Sequence, residues 1–411
     1  MNSSQIRYST LYKVNPQSVL NNLTVTLKIE GLLDLDLFSA SIQEVIKNRS
    51  LLNSFCDLKD FKYVVIPDLN HETRINILNI PITQDHKLFV IEHAKKQNDL
   101  SFDVENESLY RISIFKQADN LHYLTLTIIH TIADGIAISY FIKDVFTQYE
   151  KALHSQDDIK LVEDDFSLYA EDEVKISHYN DKASWWGDYF SGNKLNFHEI
   201  NNFSDIGHLN HHFIVLSPFS LNMFSSKLIE FLVKADSNYK LAIDQKYYVK
   251  EVLGNRPKNI QHLNCYIDLI PYVIDMSNTY TPLIDTIINN RKAVKEKKIP
   301  YWNIVESVSN SLYGHSYGLA NIEINVRFLE FGPKFGDLDL TTSIVKEAVF
   351  QTGGIMSDIC LIVDCFDKRN GDISLYYNKS RIQDAEIHQI FNQMITLMKD
   401  DFFIQNNINF Q

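Results

Sequence analysis

The sequence of 411 residues contains few cysteines and no long hydrophobic run. Its four cysteines, Cys56, Cys265, Cys360 and Cys365, lack metal-ligand spacing and do not form the pattern of a secreted disulfide framework. No apolar run approaches the ~18 residues of a membrane span, and the polar residues 1–17 lack the apolar core of a signal peptide. We therefore expect a cytoplasmic protein in a reducing compartment, without a membrane span.

Positive charge is also scarce. The 39 Lys and Arg residues against 52 Asp and Glu residues give a formal net charge of −13. Because affinity for nucleic acid depends on basic side chains that neutralise phosphates, this balance argues against a nucleic-acid-binding protein. Hydrophobic residues at 45% and charged residues at 22% are ordinary proportions for a globular chain.

The length of the chain exceeds what one hydrophobic core usually serves, so we expect two lobes of about 150–250 residues each. A polar and acidic stretch, HSQDDIKLVEDD at 154–165, is the best candidate for the boundary between them. The predicted lobes are therefore residues 1–165 and residues 166–411.

Strand and helix patterns alternate along the whole sequence. Residues Asn21–Gly31 alternate in polarity and predict a strand, after which Asp34 is the predicted N-cap of a helix over Leu35–Ile46. The runs Tyr110–Phe115 and Leu121–Ile129 predict a hairpin. Further predicted elements are the strands 213–216, 241–250 and 263–270, the helices 136–153, 221–233, 283–295 and 384–398, and a hairpin of 358–364 with 373–377 around a turn at 368–372. The predicted fold class is α/β, with mixed or antiparallel sheets in each lobe.

One segment, LTLTIIHTIADG at 124–135, combines an apolar strand with residues that can carry chemistry. The strand ends at His130, and a short turn through Asp134 and Gly135 leads into a helix. A histidine in this place is readily exposed to a cleft, and its ordinary pKa of about 6.5 lets it accept and return a proton near neutral pH. Asp134 can hold the local geometry by pairing with an arginine or with backbone amides. Gly135 permits a backbone conformation or a close approach that a Cβ would hinder.

Other interpretations of this segment stay open on the residues alone. His130 can be a buried structural residue, with Asp134 as the N-cap of the following helix. One histidine and one carboxylate give two ligands where zinc usually takes three or four, and no spacing suggests a third, so we expect no metal. A Ser-His-Asp hydrolase is disfavoured because the sequence has no GxSxG elbow.

The segment His130–Gly135 resembles the HxxxDG motif of the chloramphenicol acetyltransferase-like superfamily. That superfamily includes the condensation domains of nonribosomal peptide synthetases, the polyketide-associated acyltransferases and the plant BAHD acyltransferases. An ordered set of looser matches accompanies the motif over nearly the whole chain. They are NRSLLNSF at 48–55, WWGDYF at 185–190, GNRP at 254–257 with CYIDLIP at 265–271, IPYWNIV at 299–305, and SDICLIV at 357–363 with LYYN at 375–378.

The resemblance implies two lobes of similar, pseudo-dimeric fold with a tunnel between them and His130 at its middle. It implies transfer of an acyl group from a thioester, on coenzyme A or on the phosphopantetheine arm of an acyl or peptidyl carrier protein, to an alcohol or amine. His130 would deprotonate or position the acceptor. Asp134 would be structural, with Arg256 from the other lobe as its salt-bridge partner, and a carboxylate in that position stays ionised.

The same resemblance sets further expectations. We expect a free-standing, monomeric enzyme of natural product biosynthesis that binds no resident cofactor and takes its donor from a carrier protein or from coenzyme A. The alternative is a catalytically silent condensation-like domain that recruits a carrier protein or another enzyme. The intact His130, Asp134 and Gly135 argue against that alternative.

The sequence departs from the family pattern in three places. Condensation domains usually have two histidines at the motif, and the first is Ile129 here, whereas one histidine is normal in the alcohol acyltransferase branches. The asparagine of the family's FVN stretch is not evident near Ile267 and Asp268, and residues 327–332 do not match the DFGWG element of the plant enzymes. Peptide-bond formation on a synthetase line is therefore a weaker expectation than acyl transfer in general.

A dense basic cluster is the candidate site for donor docking. Arg291, Lys292 and Lys295, followed by Lys297 and Lys298, lie on a predicted helix end, where cations are favoured in any case. A solvated helix face is one interpretation of the cluster. The other is a dock for coenzyme A phosphates or for an acidic carrier protein.

Three residues are candidates for lining the tunnel or contacting substrate. His315 lies in a Gly-rich loop, and Thr352 and Ser357 are assigned by analogy with the family. His211 and His212 are predicted to begin a strand and to face opposite sides of it, which makes them a poor metal site.

Overall fold

The computed structural model describes most of the chain between Ser3 and Phe402. The described residues are 3–19, 21–60, 62–65, 75–81, 83–154, 180–191, 206–214, 221–238, 240–242, 244–256, 261–277, 281–308, 320–328, 338–348, 350–351, 357–365 and 370–402. The predicted lobe boundary at residue 165 lies outside them.

The chain divides into two compact units, and neither is a single stretch of sequence. Unit 1 comprises Met1–Val174, Arg256–Tyr266 and Phe331–Gly353. Unit 2 comprises Lys175–Asn255, Ile267–Glu330 and Gly354–Gln411. Two short segments from the second half of the sequence are therefore part of the unit that carries the HxxxDG segment.

Unit 1 is built on a six-stranded sheet. Its strands are β1 (Asn22–Glu30), β4 (Ile75–Asn79), β5 (Tyr110–Ala118), β6 (Leu121–Ile129), β11 (Thr341–Ile344) and β12 (Phe350–Gln351), and β2 (Ser54–Asp57) and β3 (Lys62–Val65) form a separate hairpin. The order is β11–β1–β6–β5–β4, with β12 also on β1, and every pair is antiparallel except β4 with β5. The sheet is therefore mixed.

Three of the helices of unit 1 begin after an aspartate N-cap. The helices are α1 (Ser3–Val14), α2 (Leu35–Lys47), α3 (His86–Asn98) and α4 (Gly135–Leu153). The side chains of Asp34, Asp85 and Asp134 each accept a hydrogen bond from a backbone N–H in the first turn of α2, α3 and α4, respectively, which satisfies a group that the helix itself leaves unpaired. The apolar faces of α2 and α4 join the core of the sheet through side chains such as Phe38 and Phe146.

Unit 2 has a sheet of its own, also mixed. Its strands are β7 (Ile206–Ile214), β8 (Lys246–Gly254), β9 (Ile267–Asp275), β10 (Ile322–Phe328), β13 (Ile359–Cys365) and β14 (Asn370–Asn378), in the order β7–β14–β13–β10–β8–β9. Strand β10 is parallel to both of its neighbours, and the other pairs are antiparallel. The helices are α5 (Asn180–Ser191), α6 (Leu221–Ala235), α7 (Leu283–Glu296), α8 (Tyr301–Val308) and α9 (Asp384–Phe402).

The predicted α/β class with mixed sheets is confirmed. Both hairpins, the strand β1 and the aspartate caps at 34 and 134 lie where the sequence predicts them. Among the described helices none combines the length and the hydropathy that crossing a bilayer requires. The tunnel that the resemblance implies stays a prediction.

Three predicted strands had the wrong N-terminal boundary, and the turn predicted at 368–372 was too long at its C-terminal end. The strand predicted at 213–216 begins at Ile206, the one predicted at 241–250 begins at Lys246, and the one predicted at 263–270 begins at Ile267. Residues 370–372 of the predicted turn belong to β14, because they pair with Asp364 and Cys365 of β13 and with β7 on the other side.

Candidate active site

His130 directly follows the last residue of strand β6, which fixes its position. The strand sequence LHYLTLTII alternates and is rich in β-branched residues, which suits a strand between two others. Its threonine hydroxyls bond across to β1, with Thr127 Oγ1 at 2.9 Å from Thr24 Oγ1. One residue beyond the strand, the backbone N–H of His130 donates to the carbonyl of Asn21 at 2.7 Å. The backbone of His130 is therefore fixed by the sheet.

Asp134 holds the start of α4. Its Oδ1 accepts from the backbone N–H of Ala137 at 2.8 Å and from Arg256 Nη2 at 2.9 Å, and its Oδ2 accepts from the N–H of Tyr266 at 2.9 Å. The residue is 3% exposed. A carboxylate held by three donors, one of them a guanidinium, is suited to fixing the geometry of the turn.

Arg256 reaches Asp134 from the segment between β8 and β9. That segment belongs to unit 1, so the expectation that the arginine comes from the other lobe was wrong. Its other hydrogen bonds go to backbone carbonyls, from Nη1 to His262 at 2.9 Å and from Nη2 to Asn264 at 2.8 Å. The guanidinium carbon lies 4.7 Å from the centre of the Tyr266 ring. One arginine thus fixes both the Asp-Gly turn and the fold of its own loop.

The imidazole of His130 is enclosed on several sides. The Tyr8 ring of α1 stacks on it with centroids 4.3 Å apart and an interplanar angle of 11°. The Sγ atom of Cys265 lies 3.5 Å from its Nδ1 atom. His130 is 6% exposed.

This enclosure changes the protonation of the ring. Burial lowers the pKa of the His130 imidazole from the ordinary 6.5 to about 4. The cation of Arg7 lowers this pKa further, whereas Asp134 and hydrogen bonds to the backbone of His130 and Ala133 raise it in part. Because the ring is neutral at pH 7, one nitrogen carries a lone pair that can accept a proton.

The expectation for Gly135 was wrong. Its φ is not in the left-handed region, where Gly31 is the one glycine among the described residues. A Cβ built on Gly135 would meet nothing within 4 Å. Gly135 instead leaves open space beside the motif, next to the exposed side chain of Ile136.

Sequence reasoning missed several residues that contact the site. The amide Nε2 of Gln5, in α1, donates to Asn264 Oδ1 at 2.7 Å, and the same oxygen accepts the N–H of Cys265 at 2.7 Å. His262 Nε2 lies 2.8 Å from the hydroxyl of Tyr266. The family asparagine was sought near Ile267 and Asp268, whereas the asparagine beside the site is Asn264. A polar N-terminal helix gives no hydrophobic period that could have revealed Gln5, Arg7 or Tyr8.

The structure does not test the roles of the other three candidate substrate residues. Ser357 lies in unit 2 and has a buried hydroxyl without a hydrogen-bond partner in the part of the chain that the structure describes. His315 and Thr352 lie outside the described residues. The substrate roles of all three stay predictions.

The basic cluster lies in unit 2 and is not uniform. Arg291 is buried, and its Nε and Nη2 atoms each donate to Glu251 at 2.7 Å, so its charge is already neutralised within the fold. Lys292 is exposed and Lys295 is half-buried, and both line an open groove of about 390 Å³ on α7. The docking role stays a prediction, and Lys292 and Lys295 are better placed for it than the buried Arg291.

His211 and His212 lie near the end of β7 rather than at its start. His212 Nδ1 is 2.6 Å from Asp372 Oδ1 on the neighbouring strand. Within the described ranges, no three His, Cys, Asp or Glu side chains group as metal ligands would.

Comparison with known proteins finds a family model and relatives that each match just under half of the chain. Residues 1–202 match the sequence model of the family described as "Condensation domain". Tyrocidine synthase 3 and tyrocidine synthase 2 of Brevibacillus parabrevis are 24% and 26% identical over 191 and 201 residues, which are 46% and 47% of this chain. Over residues 1–202 the chain therefore resembles condensation domains. The chain spans only 3% and 5% of the length of those two synthases.

Solved structures share the fold over nearly the whole chain. A mutant of the starter condensation domain of rhizomide synthetase RzmA, in complex with C8-CoA, has a TM-score of 0.75 at 13% identity, over 97% of this chain and 94% of that one. The X-domain from teicoplanin biosynthesis, in a complex with OxyB, has a TM-score of 0.71 at 16% identity, over 97% and 92%. At these identities the likeness shows a shared fold.

Proposed function

We propose that this protein, like the condensation domains it resembles, transfers an acyl group from a thioester to an alcohol or amine, with His130 as the general base. The observation that carries the proposal is the state of the imidazole. The ring is held at the end of a rigid strand under the stacked ring of Tyr8, and it is neutral at pH 7. A neutral, oriented imidazole is the group that general base catalysis requires.

In the proposed reaction His130 takes the proton from the acceptor's O–H or N–H as the acceptor attacks the thioester carbonyl. A C–O or C–N bond forms, and the C–S bond breaks as the tetrahedral intermediate collapses. The imidazolium then returns its proton to the departing thiolate, so no other proton source is needed. Asp134 and Arg256 serve as the scaffold that fixes the turn between the histidine and α4.

The donor we propose is an acyl thioester of coenzyme A or of a carrier protein's phosphopantetheine arm. Support comes from the relatives, which are tyrocidine synthases, and from the structural neighbour that holds C8-CoA. The donor is a substrate, and the proposal includes no resident cofactor. The buried cysteines Cys56, Cys265, Cys360 and Cys365 form no disulfide, which supports a reducing cytosol as the compartment.

The test is an acyl-transfer assay read by intact mass. Purified protein is mixed with a panel of acyl-coenzyme A and acyl carrier proteins together with pooled alcohols and amines, and acyl loss from each donor is measured. We expect turnover by the wild type and a loss of at least about 100-fold in His130→Ala. The matched control is His122→Ala, a buried histidine on the same strand β6 at 1% exposure, which should retain turnover. A folded His130→Ala protein with full activity would overturn the assignment.

A second candidate function is a silent recruitment module. Two observations favour it: His130 is only 6% exposed with a pKa near 4, which makes it a weak base, and the X-domain neighbour is in a complex with another protein, OxyB. A carrier protein or enzyme that binds wild type and His130→Ala equally, with no acyl loss from any donor, would support this function instead of transfer.

A further inference from the structure

Helix α1 is buried although its sequence is polar. SSQIRYSTLYKV has no hydrophobic period, yet Ser4, Gln5, Arg7, Ser9 and Thr10 are each less than 9% exposed. Burial of polar side chains is costly unless they are hydrogen-bonded, so burial of this helix is not explained by apolar area alone. The side chains of α1 also make specific contacts, and two of them lie at His130.

Two consecutive residues of α1 form a layered arrangement over the histidine. The guanidinium carbon of Arg7 lies 4.3 Å from the centre of the Tyr8 ring, and the Tyr8 ring lies 4.3 Å from the imidazole. The carbonyl of Tyr8 accepts from Asn21 Nδ2 at 3.0 Å, and the carbonyl of Asn21 accepts from the His130 N–H at 2.7 Å. Asn21 therefore ties the backbone of Tyr8 to the backbone of the histidine that its ring covers.

We propose that Tyr8 is a positioning residue, whose ring holds the His130 imidazole with Nδ1 toward Cys265 and leaves Nε2 as the nitrogen that takes the acceptor's proton. This inference rests on the proposed function and names the residue that prepares its base. The rings of Tyr8 and His130 are nearly parallel, with an interplanar angle of 11°. Such stacking needs a flat partner, and an aliphatic side chain of the same volume has no flat face.

The charged and titratable groups that face the imidazole come from three parts of unit 1. Arg7 and Tyr8 face it from α1, Asp134 from the Asp-Gly turn, and Cys265 from the segment 256–266. The Tyr8 ring keeps water from one face of the imidazole. The positive charge of Arg7 disfavours protonation of the same imidazole. Without the Tyr8 ring, water reaches the imidazole, and its pKa moves back toward the ordinary value.

The experiment compares Tyr8→Phe, which keeps the ring, with Tyr8→Leu, which removes it. The matched control is Tyr12→Leu, a tyrosine of the same helix at 1% exposure. Two quantities are measured: the pH profile of kcat/KM, and the titration and tautomer of His130 by ¹⁵N NMR, with the His130 signals identified by their loss in His130→Gln.

We expect Tyr8→Phe to keep the wild-type profile and the tautomer protonated at Nδ1. Tyr8→Leu should lose about tenfold in kcat/KM and move the His130 titration upward by roughly one pH unit, with both tautomers populated. Tyr12→Leu should lose stability without moving the titration.

A folded Tyr8→Leu protein with the wild-type titration and tautomer would overturn the inference, as would a wild type protonated at Nε2. The NMR readout needs no substrate. Absence of turnover in the wild type, with the titration shift present in Tyr8→Leu, would therefore reject the proposed reaction and retain the positioning of the ring.

Discussion

Arg256 donates to the carboxylate of Asp134 at 2.9 Å although the two residues are 122 positions apart in the sequence. Both side chains are less than 8% exposed. Within unit 1 this pair joins the HxxxDG turn to the loop that carries Cys265 and Tyr266. The contribution of this ion pair to the free energy of unfolding therefore measures how far it holds the site together.

The first prediction concerns that ion pair. Asp134→Asn keeps the shape of the side chain and an oxygen for the helix cap, but leaves the buried Arg256 without its counter-charge. We expect the free energy of unfolding to fall by about 3–5 kcal/mol, measured by urea denaturation. Asp99→Asn, which breaks the exposed pair with Lys95, is the control and should cost less than about 1 kcal/mol. Equal losses in the two variants would contradict a structural role for Asp134.

The second prediction concerns acid stability. Burial lowers the pKa of both His130 and His262 to about 4, with Arg7 adding to the effect at His130 and Arg256 at His262. Because the folded-state pKa lies below the unfolded value of 6.5, the stabilisation is full above pH 6.5 and is lost as the pH falls toward 4. Each buried histidine contributes up to roughly 3 kcal/mol to that loss.

The measurement is the free energy of unfolding between pH 7 and pH 4. His130→Gln/His262→Gln should show a flatter profile than the wild type over this range. His154→Gln, at the exposed end of α4, is the control and should follow the wild type. A double variant as acid-sensitive as the wild type would show that these two rings do not titrate as their burial implies.

The third prediction concerns the open space at Gly135. A Cβ at this position meets nothing within 4 Å and φ is not positive, so Gly135→Ala should fold with unchanged or slightly raised stability, by less than about 1 kcal/mol. If substrate uses this space, Gly135→Leu should lower kcat/KM by about tenfold or more, and the loss should grow with acyl chain length. Full activity of Gly135→Leu with long and short acyl donors would show that the space is not part of the substrate site.

The fourth prediction separates the members of the basic cluster. Lys292→Glu/Lys295→Glu should leave stability within about 1 kcal/mol and raise KM for the thioester donor, with a weaker effect at high salt. Arg291→Met removes the partner of the buried Glu251, so it should lower the free energy of unfolding by about 3–5 kcal/mol. The comparison uses KM at two salt concentrations and urea denaturation. An unchanged KM in the lysine double variant would remove the cluster from donor docking.

The sequence predicted the elements whose signals are local. Strand β6 has an alternating apolar pattern, and α4 has an aspartate immediately before an amphipathic run, so both were placed correctly. The same holds for the hairpin of β13 and β14. In each case the residues that decide the structure lie within a few positions of one another.

The wrong boundaries have identifiable causes. Asp244 and Gln245 have positive φ values of 50° and 62°, so the apolar run from Leu241 cannot be one strand with β8. β7 has the histidine-rich sequence IGHLNHHFI, which shows little alternation, and it becomes a strand because it pairs along the whole of β14. The apolar start predicted for β9 at Leu263 belongs to the loop that Asp134 fixes through the N–H of Tyr266.

By itself the sequence determined the strand, the histidine, the capped turn and the helix of the HxxxDG segment, because each of these depends on interactions between neighbours in the chain. Only the tertiary structure decided that Tyr8 covers the imidazole, that Cys265 faces Nδ1 and that Arg256 neutralises Asp134. These contacts join segments more than 100 residues apart. Neither periodicity nor motif spacing predicts which distant side chain will contact the site. The depth of burial that sets the charge of His130 depends on the same distant contacts.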